Sequence, residues 1–166
     1  MANLTSTQSG AWDAMLGLLQ TAATGTSNPT VAVVDSYLLQ YEPACYVILS
    51  SIEQHTFDIA ALGSYAFEET YQLCGQTTYL QGNTDVKTVR DTVFSVHESI
   101  VQTTLVANRG QNGIPVLGSS GPAALLWCIP AFQRFTMSPA NFSGGASGVQ
   151  GTIEWAYEVK ARITTA

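Results

Sequence analysis

At 166 residues, 46% apolar and 11% charged, the chain has the length of one domain and enough apolar content for a core without disulfides or metals. Twelve acidic residues against six basic give a net charge of −6, and Lys87, Arg90, Arg109, Arg134, Lys160 and Arg162 are spread along the chain, which argues against free nucleic acid as a ligand. No apolar run approaches the roughly 18 residues of a membrane span, and charge this sparse, against about 25% in an average domain, excludes the highly charged kind of disorder.

What remains for the surface is Ser, Thr, Gln, Asn and Gly with scattered apolar groups. Such a surface suits permanent protein–protein contact, whose buried centres are depleted of charge; a solvated polar face is the alternative. The opening Met-Ala-Asn-Leu-Thr lacks the basic and apolar regions of a signal peptide, so a protein made and used in a cytoplasm is expected. Cys45, Cys74 and Cys128 form no CxxC pair, and His55 and His97 stand at no zinc-like spacing from them, so all three thiols read as core residues.

A first helix is expected over residues 10–24, with Trp12, Met15, Leu16, Leu18, Leu19 and Ala23 as its apolar stripe, Ser9 as N-cap and Gly25 at its end. Val31 to Tyr37 reads as a short strand, and Ala44 to Phe57 as a longer one, buried on both faces over Cys45–Leu49. Residues 59–64 read as a hairpin connection. Tyr65 to Tyr79 alternates: Tyr65, Phe67, Tyr71, Leu73, Thr77 and Tyr79 share one face, which Glu69 and Gly75 interrupt, Gly75 as a possible bulge.

A long helix follows Asn83 or Thr84 as cap, with Val86, Val89, Val93, Val96 and Ile100 at steps of three and four and Phe94, Val101 and Leu105 widening the stripe. Residues 108–122 form a Gly/Pro-punctuated loop. A strand apolar on both faces runs over 123–135, broken by Pro130, and 136–150 is loop again. The last strand alternates Ile153, Trp155, Tyr157, Val159, Ala161 and Ile163 against Glu154, Glu158, Lys160 and Arg162. The order α-β-β-β-α-β-β, in one domain over residues 1–166, makes the class α+β: a mixed or antiparallel sheet with both helices on one face.

No catalytic constellation emerges. Glu68 and Glu69 are strand neighbours and point to opposite faces, so they cannot share a proton-transfer site. GxSxG, HExxH and a P-loop lysine are absent, and His97 reads as a residue on the polar face of its helix. No enzyme, metal or cofactor is expected.

Four stretches are familiar together: Ala11-Trp12-Asp13-Ala14-Met15-Leu16; Phe67-Glu68-Glu69-Thr70-Tyr71-Gln72-Leu73; the helix opening Gly82 to Phe94 with its D-V-K-x-x-R-D-x-V run; and the closing Ile153 to Ile163 with V-x-A-R-I. In this the chain resembles the tail terminator proteins of long-tailed bacteriophages, especially those infecting actinobacteria, over nearly all of residues 10–164. It departs from them at 108–122, where a compact turn is usual. The resemblance implies a virion protein at the neck end of the tail, assembled in the host cytoplasm. There a ring of six copies would sit on the major tail tube protein, halt tube growth and meet a neck or head-completion protein. DNA would pass through without specific binding. A neck stopper, a tube protein or a ligand-binding module are the other readings. The apolar groups Phe57, Ile59, Leu62, Tyr65, Met137 and Phe142 are the candidate contact residues. If the 59–64 connection is an interface, Leu62→Asp keeps its circular dichroism and melting behaviour yet fails to join tails; loss of the fold instead assigns Leu62 to the core.

Overall fold

The two most regular alternating runs pair with each other along their whole length. In the computed structural model, which describes residues 6–27, 29–36, 44–59, 66–82, 85–110, 113–141 and 147–164, β3 (Ala66–Gly82) and β5 (Ser147–Thr164) are antiparallel neighbours. To number the rest in chain order, β2 (Cys45–Ile59) lies antiparallel on the other side of β3, and β4 (Leu125–Asn141) antiparallel on the other side of β5. The short β1 (Ala32–Asp35) runs parallel to the start of β2. The sheet order is β1-β2-β3-β5-β4, so the sheet is mixed and the fold is α+β, as the sequence predicts.

The helices lie on one face of it. They are α1 (Gln8–Ala23), α2 (Val86–Val96), a π-helical turn at His97–Gln102 and α3 (Thr103–Ala107). Under them β3 buries Tyr71, Leu73 and Thr77, and β5 buries Ile153, Trp155, Tyr157, Val159 and Ala161. Ala11, Ala14, Met15 and Leu19 of α1 and Val93, Val96, Ile100, Val101 and Leu105 complete the core. Gly75 is not a bulge. A Cβ there would overlap the Trp155 ring and the Ile48 carbonyl, so glycine is the residue that lets this indole lie flat on the sheet. The irregularity belongs to β2, whose register shifts between Leu49 and Ser51 and again between Glu53 and Thr56.

Several expectations are corrected. The first helix is preceded by Thr7 rather than capped by Ser9, and the Thr7 hydroxyl makes no capping bond because Glu69 takes it. The second helix is capped by Asp85, whose carboxylate accepts from the Lys87 amide; Asn83 and Thr84 lie outside the described residues. Val86 is exposed rather than part of the buried stripe, since it stands in the first turn, beyond the edge of the sheet contact. The π turn inserts one residue's worth of rotation. It lets Ile100 and Val101 both face the sheet and carries Leu105 in after them. His97 stands four residues beyond Val93 on the same face of the helix, so it is buried, not on the polar face. Residues 136–141 and 147–150 are strand, not loop: β4 and β5 pair as far as Asn141↔Ser147.

Val93 is fully buried between α2 and the sheet. Val93→Asp places an unpaired charge there at a cost of several kcal/mol, enough to unfold most of the population. A melting temperature equal to that of the unaltered protein would contradict this packing.

Candidate functional site

Among the described residues no helix lies on the other face of the sheet. Register assigns to it Ser51, Glu53, Thr56 and Asp58 of β2, Glu68, Thr70, Gln72, Cys74 and Gln76 of β3, Glu154, Ala156, Glu158, Lys160 and Arg162 of β5, and Trp127, Ile129, Phe132 and Arg134 of β4. Its cations are paired: Arg134 with Glu154 at 2.6 Å, Lys160 with Glu68 at 2.7 Å and Arg162 with Glu68 at 2.6 Å. Those two bonds, from Lys160 and then Arg162, hold the Glu68 carboxyl below the usual range. Lys160 also lies 4.9 Å from the centre of the Trp127 ring. With Glu53, Asp58 and Glu158 added, carboxylates outnumber cations on this face, so it offers no basic track for phosphates.

Beside it runs a bare edge. Among the described residues β4 pairs only with β5, and its 17 residues form the sheet's last strand. The sequence reads this strand as apolar on both faces. The structure exposes part of that apolar surface: Leu126 is 40%, Ile129 42% and Phe132 49% exposed. The signal that locates the edge is Pro130, since a residue without an N–H belongs on an edge strand or at a bulge, and the register does shift between Pro130 and Phe132.

The candidate contact residues do not form one site. Phe57 is 47% exposed, its ring against His55 with centroids 4.5 Å apart. Ile59 ends β2 opposite Phe67. Leu62, Tyr65 and Phe142 lie outside the described residues. Met137 belongs to β4, half-buried under α2, where it converges with Val89 and Val93 on Gly151. Phe57 is level with Glu69 and Met137 with Tyr79, ten residues apart along β3 and so roughly 33 Å apart.

Two buried polar clusters lie on the helix side. Glu69 is fully buried. It accepts from the Thr7 amide and hydroxyl, each at 2.9 Å, and from Ser6, and lies 2.9 Å from His55 Nε2. Burial alone would raise its pKa, but these bonds outweigh burial and lower it. Glu68 and Glu69 do point to opposite faces. In the second cluster Trp155 Nε1 donates to Thr77 Oγ1 at 3.2 Å, and His97 Nδ1 lies 3.1 Å from the same oxygen. Indole only donates, so Thr77 Oγ1 accepts from Trp155 and keeps its hydrogen and a second lone pair for His97 Nδ1, whose role in that bond follows its tautomer. Burial lowers the histidine's pKa to about 4.

Among the described residues no three His, Cys, Asp or Glu side chains are grouped to hold a metal, and no helix is long and apolar enough to cross a membrane. No protein-family model matches the chain, and no curated protein matches it in sequence.

The clusters predict acid lability. His97 binds its proton more weakly folded than unfolded, so its contribution is complete above about pH 6.5 and falls as pH drops toward 4. Glu69, also depressed, adds its loss below the ordinary carboxylate range. Unfolding free energy from urea titrations should fall by about 2 kcal/mol between pH 7 and pH 5 on account of His97. His97→Gln should flatten that interval; an equal slope in the variant would reject the assignment.

Proposed function

We propose that the chain is a structural subunit that assembles into a ring closing a bacteriophage tail tube, at the neck end of the virion. The observation that carries this is the long β4 edge, which leaves Leu126, Ile129 and Phe132 exposed beside a sheet face with no helix over it. An edge of that length and apolarity is a hazard to a solitary domain, and native proteins normally blunt it with charge. β4 contains one charged residue, Arg134, and none between Leu125 and Gln133. A subunit whose edge is covered in the assembled particle has no need of such protection.

Three further features support the same reading. The helix-opening and last-strand motifs that carry the resemblance to tail terminators form α2 and β5, which pack on each other at the centre of the fold. The bare face is net acidic, which suits a protein past which DNA slides without sticking. The buried polar groups are consumed by internal bonds rather than aimed at a substrate. In this role the protein's contacts would be with its own copies, the major tail tube protein and a neck or head-completion protein.

A second reading has one observation in its favour. An open hollow of about 550 Å³ on the bare face, lined by Glu53, Gln72, Cys74, Gln76, Phe132 and Ala156 among others, has the size of a small-molecule site. It lacks a cover, and Glu154 at its rim is already paired with Arg134.

Native mass spectrometry and negative-stain imaging of the purified protein test the proposal. The expected result is a closed ring of six copies, and antibody label at the head–tail junction of intact particles. A monomer at all concentrations, or label at the tail tip or nowhere in the virion, would overturn it.

A further inference from the structure

We infer that the contact between copies is an extension of the sheet: the β4 edge of one copy pairs, antiparallel and head to tail, with the outer edge of the second half of β2 in the next copy. The inference rests on the ring reading above and names the surfaces that build the ring.

Strand direction comes first. β2 is antiparallel to β3, β3 to β5, and β5 to β4, so the two long outer strands run in opposite directions. Copies set side by side in the same orientation therefore bring β4 against β2 as an antiparallel pair. The helices of both copies stay on the same face.

Next comes height along the strands. β1 covers β2 from Tyr46 to Leu49, and among the described residues the Ser36 amide to the Leu49 carbonyl is the last bond on that side. Beyond it, among the described residues, no strand pairs with the outer edge of Ser51–Ile59. One row of the sheet reads Ser51, Cys74, Ala156, Phe132, and another reads Phe57, Glu69, Ala161, Leu125. The uncovered stretch of β2 thus stands level with Leu125–Phe132, the stretch of β4 that exposes Leu126, Ile129 and Phe132. A neighbour placed with no shift along the strands sets bare edge against bare edge, and sets Arg134 near the short β1 instead.

Composition agrees with this match. Ser51–Ile59 contains Glu53 and Asp58 and no Lys or Arg, while Leu125–Phe132 contains no charge, so no like charges meet. Phe57, exposed on the helix side, comes beside Leu125 and Leu126. Both edges carry two irregularities: β2 after Leu49 and after Glu53, β4 after Leu125 and after Pro130. Bulges increase local twist, and Pro130 donates no bond, so the pairing runs in short segments on a strongly coiled edge. A head-to-tail contact uses two different patches, so it repeats, and it closes into a ring when the rotation per copy divides a full turn. A β4-to-β4 contact would close at two copies and leave the β2 edge bare.

Cross-linking decides it. The row Glu53, Gln72, Glu158, Ile129 makes Glu53 and Ile129 opposite partners across the proposed join. In a Cys74→Ala background, Glu53→Cys and Ile129→Cys proteins are mixed and oxidised. The expected result is a covalent dimer in the mixture and in neither protein alone, and a ladder of covalent multimers from the double variant. Ile129→Cys linking to itself, or intact rings with no link between the two positions, overturns the head-to-tail pairing while leaving the ring standing. A protein that is monomeric without any substitution overturns both. Phe132→Glu, at a half-exposed position, should keep its circular dichroism and melting profile and lose the multimer; a multimer of unchanged mass would count against the join.

Discussion

A β-strand sends successive side chains to opposite faces, and in this chain the parity of the two central strands constrains almost everything else. Odd positions of β3 and β5 lie under the helices. Even positions lie on the face no helix covers. The split separates Glu68 from Glu69, one residue apart, into opposite roles. Glu68 becomes an anchor for Lys160 and Arg162 on the open face, and Glu69 becomes a buried acceptor beneath the start of α1. A slip of one residue between β3 and β5 would put Trp155 and Tyr157 into solvent and Glu154, Glu158, Lys160 and Arg162 into the core. The register is accordingly held firmly.

Within the covered face, polar groups fix geometry that apolar packing alone would leave loose. Glu69 binds the backbone and hydroxyl of Thr7 and so sets where α1 begins over the sheet. The Trp155, Thr77, His97 chain ties β5, β3 and the π turn together at the middle of the core. Each bond contributes of order 1 kcal/mol net, and more where a charge is involved, but the penalty for leaving a partner unmatched is larger. That asymmetry makes these groups selective for one arrangement.

The open face and the β4 edge follow from the same parity. Helices supply enough apolar surface for one side of a five-stranded sheet, and the chain contains no further helix among the described residues to cover the other. Ion pairs and polar side chains occupy much of that second face, while Tyr46, Ile48, Thr78 and Thr152 on it are buried. Near β4 the pattern changes to Trp127, Ile129 and Phe132, and with it the physics changes from solvation to association. An exposed apolar stripe that borders an unpaired strand can be buried by another strand more completely than by a helix, because main-chain groups are satisfied in the same event.

The sequence by itself determined the element order, the class and most of the core, though not the exposure of Val86, the burial of His97 or the place of Cys74 on the open face. Period-two alternation in residues 66–79 and 153–163 and period-3.6 recurrence from Val89 to Leu105 are local patterns, and local patterns survive without knowledge of neighbours. It also determined that Glu68 and Glu69 diverge, since that needs only strand geometry. Tertiary structure alone decided that Ile100 and Val101 both lie on the sheet with Leu105 after them, because a single π turn rotates the helix by an amount no residue type announces. Pro130 already marks β4 for an edge or a bulge, but tertiary structure alone decided that its apolar residues are partly exposed, because burial on a strand depends on what lies beside it and over it. The same holds for the candidate contact residues. Phe57 and Met137 look alike as isolated apolar groups in the sequence, yet one stands in solvent beside an unpaired edge and the other lies beneath α2. Pairing partners and packing layers, which are properties of the whole chain, make that difference.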